Sequence, residues 1–137
     1  MIVDTSALIA ILLREPGGET LLEAIAAEGG LLPSPARVEY LRVASGSRVG
    51  LAREAAMLLD RLEQVGLETI AFTSEHARIA SEANARFGKG NGSGGMLNLL
   101  DLMVYAVAKE RCEPLLCTGN DFATTDLVIH PASRMGG

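Results

Sequence analysis

The chain has 137 residues, 48% of them hydrophobic and 4% aromatic, with no Trp. That is the length of one domain, and its core must be built from Leu, Ile, Val and Ala, which suits helices packed on a parallel sheet. Lys and Arg number 12 against 17 Asp and Glu, a net charge of −5 that excludes nucleic-acid binding by overall charge; such a partner needs a local basic surface, or metal ions bridging acids to phosphates.

Taken in chain order, Ile2–Val3 reads as a short strand and Ser6–Leu13 as a first helix, broken by "REPGG". Gly18–Ala27 reads as a second helix, ended by "EGG", and "LLP" as a short strand. Ser34 as cap with Pro35 at the first helical position starts the helix "ARVEYLRVAS". A further helix covers about Leu51 to Val65, with Leu51, Ala55, Leu58, Leu59 and Leu62 on one face. "GLETIAF" is a strand, and Thr73 caps the helix "SEHARIASEANARF". His76, its third helical residue, reads as a surface position. "GKGNGSGGM" is a loop, "LNLLDLMVYAVAKER" a strongly apolar helix, "PLLCTG" a buried strand and "LVIHP" a last strand, with His130 at its end. The segment "ASRMGG", about 132–137, reads as a frayed tail. Strands separated by helices predict an α/β sandwich with a parallel sheet, in which ligands gather at the carboxyl ends of the strands.

Cys112 and Cys117 have no CxxC spacing, which points to a reducing cytoplasm without a disulfide framework. The N-terminus lacks a basic segment, and its apolar run is broken by Asp4, so no signal peptide is read there. No apolar stretch approaches the length of a membrane span.

Four acids stand where chemistry gathers. Asp4 follows the first strand; the ordinary alternative is a helix cap. Asp101 lies in an apolar helix, where a lone carboxylate is costly; Asn98 and Asp101 together resemble a capping box, and a cap and a ligand are not exclusive. Glu39 shares a helical stripe with Ala36 and Val43, and its ordinary role is a surface pair with Arg42. Asp121, in "CTGNDFATTD", suits plain turn chemistry as well, and Asn120 and Asp126 compete for the same role. Clustered carboxylates oppose one another's ionisation, and a divalent cation resolves that. Oxygen ligands without His or Cys select Mg²⁺ or Mn²⁺, which can orient a water and neutralise an in-line phosphodiester transition state.

Other motifs do not hold. "GNGSGG" fits the letters GxGxxG, but a helix precedes it and no GK[ST] follows, so it reads as a flexible loop. His76 and His130 have no metal or triad spacing, and the cysteines form no thiol-nucleophile constellation. Phospho-acceptor folds fail too: a second Asp two positions after Asp4 is Ser6 here, and Asp60 falls within a helix.

"IVDTSALIA" with Asp4, "SPARVEYLRVAS" with Glu39, "LNLLDLMVYAVAK" with Asp101 and "PLLCTGNDFATTDL" with Asp121 resemble, in order and over nearly the whole chain, the PIN domain, and within it the VapC toxins of bacterial toxin–antitoxin pairs. The resemblance implies one domain over 1–137, a PIN-like α/β/α sandwich with a central parallel sheet of four to five strands and helices on both faces. It implies a Mg²⁺- or Mn²⁺-dependent ribonuclease that cuts RNA with a metal-activated water. Asp4 and Asp101 would be metal ligands, Glu39 would complete the acidic cluster and Asp121 would be the fourth acid. Thr5 or Ser6, with Thr118 and Asn120, would steady the carboxylates. A homodimer and a cognate VapB-like antitoxin covering the site are implied as well. The usual Leu-Asn-x-Gly-Asp-Cys motif is altered, since Leu100 and Leu102 flank Asp101. The competing readings are a metal-dependent DNA nuclease or phosphatase on the same acids, and a non-catalytic binding protein. Arg14, Arg37 and Lys89 are the residues expected to supply a local positive field.

Overall fold

The computed structural model describes residues 1–134. Four short strands form one parallel sheet: β1 (Ile2–Val3), β2 (Gly30–Pro33), β3 (Leu67–Ile70) and β4 (Leu115–Leu116), in the order β3-β2-β1-β4. Ile2 pairs with both Leu31 and Leu115, so β1 is central, and its two β-branched side chains are fully buried. Strands this short and this apolar fit a sheet covered on both faces.

The helices among the described residues are α1 (Thr5–Leu12), α2 (Gly18–Glu28), α3 (Ser34–Ser45), α4 (Ala52–Gln64), α5 (Ser74–Phe87) and α6 (Leu99–Arg111). Helices α1 to α4 pack among themselves, and α5 packs on α6, which lies against β1. The result is the expected α/β sandwich. On α4 the expected face is the buried one, with Ala55, Leu59 and Leu62 inside. On α3 the core stripe is Ala36, Tyr40 and Ala44, and the Tyr40 hydroxyl donates to the Ala55 carbonyl at 2.9 Å, fastening α3 to α4. Val43, expected on the inner stripe with Glu39, is exposed, so Glu39 lies at the border of the core stripe.

Helices α2 and α4 turn into their strands through two glycines that touch. Gly29 (φ +71°) and Gly66 (φ +115°) both hold left-handed backbone, and a Cβ on Gly29 would lie 3.0 Å from the Gly66 carbonyl oxygen. Side chains at either place would push β2 and β3 apart.

Three expectations change. The last strand, "LVIHP", makes only an isolated parallel bridge, Ile129 to Leu115, because the groups that would extend the ladder turn elsewhere: the Ala132 N–H donates to His130 Nδ1 at 3.1 Å and the Cys117 N–H to the Ser133 hydroxyl at 3.1 Å. His130 follows that bridge and meets Glu28 through Nε2 at 2.8 Å. The expected frayed tail is tied down through residue 134: Arg134 bridges Thr118, donates to the Pro16 carbonyl and pairs with Glu15 at 2.7 Å. Residues 135–137 of that tail lie outside the described residues.

His76 is not a surface residue. It is 1% exposed, walled in by the α5–α6 packing and by the Phe72 ring. The Thr73 N–H donates to Nδ1 at 2.9 Å, closing a capping box, which leaves Nε2–H to donate to Glu110 at 2.8 Å. A helix-wheel position three residues after a cap does not reveal that the neighbouring helix covers it.

Candidate metal centre

The carboxyl ends of β1, β2 and β4 point one way, and the chain leaves each of them toward a candidate acid. After β1, Asp4 takes extended backbone as the N-cap of α1, and its N–H donates to the Leu116 carbonyl at 2.9 Å, which pins it to β4. After β2, the chain enters α3 directly, with Pro35 in the first turn, and Glu39 follows on that helix. After β4, a turn carries Asn120 and the exposed Asp121. Asp101 arrives from the other layer, in the first turn of α6, and α6 contacts both β1 and α3.

Asp4 is buried, yet its hydrogen bonds from Ser6 converge on one oxygen: the Ser6 N–H at 3.0 Å and the Ser6 hydroxyl at 2.6 Å both reach Oδ2. The hydroxyl oxygen of Ser6 accepts the Thr118 N–H at 3.0 Å. A short relay, Thr118 N–H to Ser6 to Asp4, therefore links the ends of β4 and β1. Thr118 acts here through its backbone, which no side-chain motif advertises. The Thr5 hydroxyl goes elsewhere, donating to the Ala36 carbonyl at 3.2 Å, so it joins α1 to the helix that carries Glu39 rather than bonding a carboxylate. Asn120 stands beside Asp121 in the turn.

Asp101 forms the anticipated capping box with Asn98. The Asp101 N–H donates to the Asn98 side chain at 2.9 Å, and the Asn98 N–H donates to Asp101 Oδ2 at 3.2 Å. The loop before it makes this placement possible: a Cβ on Gly95 would fall 2.3 Å from the Phe87 carbonyl, so only glycine lets the chain pass there. The loop joins two helices and cradles no helix start after a strand, in keeping with the rejection of a dinucleotide fingerprint.

The acids feel one another. Burial pushes the Asp101 carboxyl up to about 7, and the charges of Asp4, Asp121 and Glu39 add to that against the Asn98 N–H, which opposes it. Asp4 is raised as well, by burial first and by the Glu39 charge, although the Ser6 bonds favour its charged form. Nearby Cys117 carries a thiol pushed up to about 12 by burial and by Asp4, Asp121 and Asp101, so it is no nucleophile. Asp126 lies outside this circle. The Tyr105 hydroxyl donates to it at 2.7 Å and Lys109 at 2.8 Å; these bonds outweigh its burial and hold its carboxyl below the usual range. Glu39 makes no ion pair with Arg42 among the described residues, and Arg37, expected to lend a positive field, is spent on Glu63 at 2.7 Å and Thr69 at 3.1 Å.

No Lys, Arg or His ion-pairs with any of Asp4, Glu39, Asp101 or Asp121 among the described residues. No three His, Cys, Asp or Glu among those residues are drawn close enough to grip a metal ion by themselves. The donor set nevertheless fits a hard divalent cation: carboxylate oxygens only, mutually repelling, lacking a protein cation.

The family model for the PIN domain matches residues 1–127. The chain is 37% identical over 134 residues to the VapC ribonuclease Mb2780c of Mycobacterium bovis, covering 96% of this chain and 98% of that protein. It is 38% identical over 130 residues to ribonuclease VapC36 of Mycobacterium tuberculosis, covering 93% and 91%. Among solved structures, VapBC2 from Rickettsia felis bound to a promoter DNA fragment superposes with a TM-score of 0.69 at 17% identity, covering 98% of this chain and 96% of that one. A toxin–antitoxin complex from Klebsiella pneumoniae gives the same score and identity, covering 95% and 96%. Both structural likenesses are of fold.

Proposed function

The chain belongs to the PIN-domain family, among the VapC ribonucleases, and from that premise we propose that it is a Mg²⁺- or Mn²⁺-dependent endoribonuclease, the toxin of a VapBC-like pair. The observation that carries this reading is that Asp4 and Asp121 follow strands of the sheet and Glu39 follows on α3, that the charges of all three reach Asp101 at the head of α6, and that no Lys, Arg or His ion-pairs with any of the four among the described residues. On this reading Asp4 and Asp101 hold the ion, Glu39 completes the cluster directly or through water, and Asp121 is the fourth acid. Asp121 is preferred to Asp126 for that role because Asp126 is already engaged by Tyr105 and Lys109.

When bound, the divalent ion supplies a more acidic water and neutralises charge on the phosphodiester. The rest is the work of the chain. Ser6 fixes Asp4 by two bonds to a single oxygen. The capping box fixes Asp101 at the head of α6. With Asp4 and Asp101 held before the substrate arrives, little reorganisation of these two is needed during the reaction. No His base is required: His76 and His130 are bonded to Glu110 and Glu28. Attack by water on phosphorus breaks the P–O3′ bond, which leaves a 5′-phosphate on one fragment and, once the departing oxygen takes up a proton, a 3′-hydroxyl on the other. The substrate on this reading is RNA, the protein partners are a cognate VapB-like antitoxin and a second copy in a homodimer, and the setting is the cytoplasm. No described helix is long and apolar enough to cross a membrane.

The purified protein is expected to cut single-stranded RNA in Mg²⁺ or Mn²⁺, to stop in EDTA, and to leave DNA of the same sequence whole. Its expression is expected to arrest growth. Intact RNA in Mn²⁺ together with normal growth overturns the reading, and equal cutting of DNA replaces it with a general nuclease.

A further inference from the structure

A protein with a net charge of −5 that acts on a polyanion must relieve repulsion locally, and much of its positive charge is already committed. Arg37 is held by Glu63, Arg78 by Glu75 and Glu82, Lys109 and Arg86 by Asp126, and Arg134 by Glu15. Beside the acidic site, however, runs a groove of about 590 Å³ between α3, the α3–α4 turn and the head of α6. It adjoins the site through two lining residues: Glu39, one of the acids, and Leu100, the residue before Asp101. Glu39 is the one acid in its lining, against two arginines, Arg42 and Arg48.

Both arginines are exposed, and neither makes an ion pair among the described residues. Arg42 stands three residues after Glu39, on the same side of α3 one turn on. Arg48 sits in a turn closed tightly beneath it: the Val49 and Gly50 N–H groups both donate to the Gly46 carbonyl, at 3.1 and 2.8 Å, and the Leu51 N–H donates to the Ala44 carbonyl at 2.8 Å. Two exposed cations without ion-pair partners, lining one groove together with an acid of the site, complement a phosphate chain in charge.

We infer that Arg42 and Arg48 bind the phosphates of the RNA strand next to the scissile one, so that the strand leaves the acidic site along this groove. The inference rests on the ribonuclease reading and adds to it the path of the substrate and two positioning residues. Neither arginine touches the reacting atoms. Their role is in binding and register, carried mainly by charge.

The test compares wild type with Arg42→Gln/Arg48→Gln, Arg42→Lys/Arg48→Lys and a control, Arg61→Gln/Arg111→Gln. The control residues lie in the last turns of α4 and α6, which lead to the opposite end of the sheet. RNA cleavage is followed across a NaCl series, and RNA binding by fluorescence anisotropy in the Asp101→Asn background. The Gln pair is expected to raise KM and weaken binding roughly tenfold with kcat nearly unchanged, and to flatten the salt dependence of binding by about 1.4 in slope, two single-strand phosphate contacts. The Lys pair is expected to keep most of the slope, and the control to behave as wild type. If wild type cuts RNA while the Gln pair leaves KM and slope unchanged, the inference fails and the ribonuclease reading stands. If the Gln pair shifts the oligomeric state in size-exclusion chromatography instead of RNA affinity, the groove belongs to a second copy and the inference fails. If wild type cuts no RNA, the ribonuclease reading itself fails.

Discussion

Asp101→Asn is expected to lower RNA cleavage by about three orders of magnitude, the scale of removing a metal ligand from phosphoryl chemistry, while making the metal-free protein more stable. The two effects have one cause. In the metal-free chain Asp101 is held at about 7 by burial and by Asp4, Asp121 and Glu39, so its negative charge opposes folding at neutral pH. A carboxyl raised in the folded state above its unfolded value binds more protons when folded. Its penalty is therefore fully present above about pH 7 and fades as the pH falls toward the ordinary value of 3.8. The amide removes the charge and keeps an oxygen for the Asn98 N–H, so the capping box survives. The expected gain at pH 8, after discounting for screening by water, is on the order of 1–2 kcal/mol, shrinking to nothing near pH 4. Thermal unfolding in EDTA at several pH values reads it directly. A non-catalytic role for the acid requires the reverse pattern, unchanged activity with lost stability.

Ser6→Ala is expected to cut activity about 10- to 100-fold, the usual cost of removing a partner that orients a metal ligand. The backbone N–H to Asp4 Oδ2 remains, but the 2.6 Å hydroxyl bond goes, and the Thr118 N–H loses its acceptor. Folding stability should fall by about 1 kcal/mol. Activity should recover in part at higher Mg²⁺, with the KM for RNA unmoved, because the residue orients a ligand and does not touch substrate. Thr5→Ser is the matched comparison. Its hydroxyl bonds the Ala36 carbonyl, so a serine there is expected to keep full activity. Equal losses in Ser6→Ala and Thr5→Ser would contradict the relay.

Much of this architecture is legible in the sequence because it is local. The caps at Thr73 and Asn98, Pro35 and apolar periodicity fix the helices to within a residue or two, although Ser34, expected to cap α3, is instead its first residue and makes no cap bond, and the Asn98–Asp101 box is readable from its spacing alone. The parallel sheet follows from the alternation of short apolar runs with helices. What escapes is what tertiary contact decides. His76 looks exposed on α5 until α6 covers it, and the "LVIHP" segment has a strand's composition but pairs at a single bridge. Arg37 looks free until Glu63, 26 residues away, takes it. Asp121 and Asp126 cannot be ranked by spacing, yet Tyr105 and Lys109 engage one of them and the charge on Asp101 senses the other. The Thr118–Ser6–Asp4 relay spans 112 residues through a backbone N–H, a donor every residue but proline carries and no motif records.

The central claim is that these four acids make one divalent-cation site, and the most direct measurement is the titration of the Asp101 side-chain carboxyl by carbon NMR, with and without Mg²⁺. Without metal the account requires a midpoint near 7. With saturating Mg²⁺ it requires that midpoint to fall well below the ordinary carboxylate range, while Asp126 stays where Lys109 and Tyr105 already hold it. An Asp101 that titrates as an ordinary aspartate, or one that Mg²⁺ leaves unmoved, would contradict it.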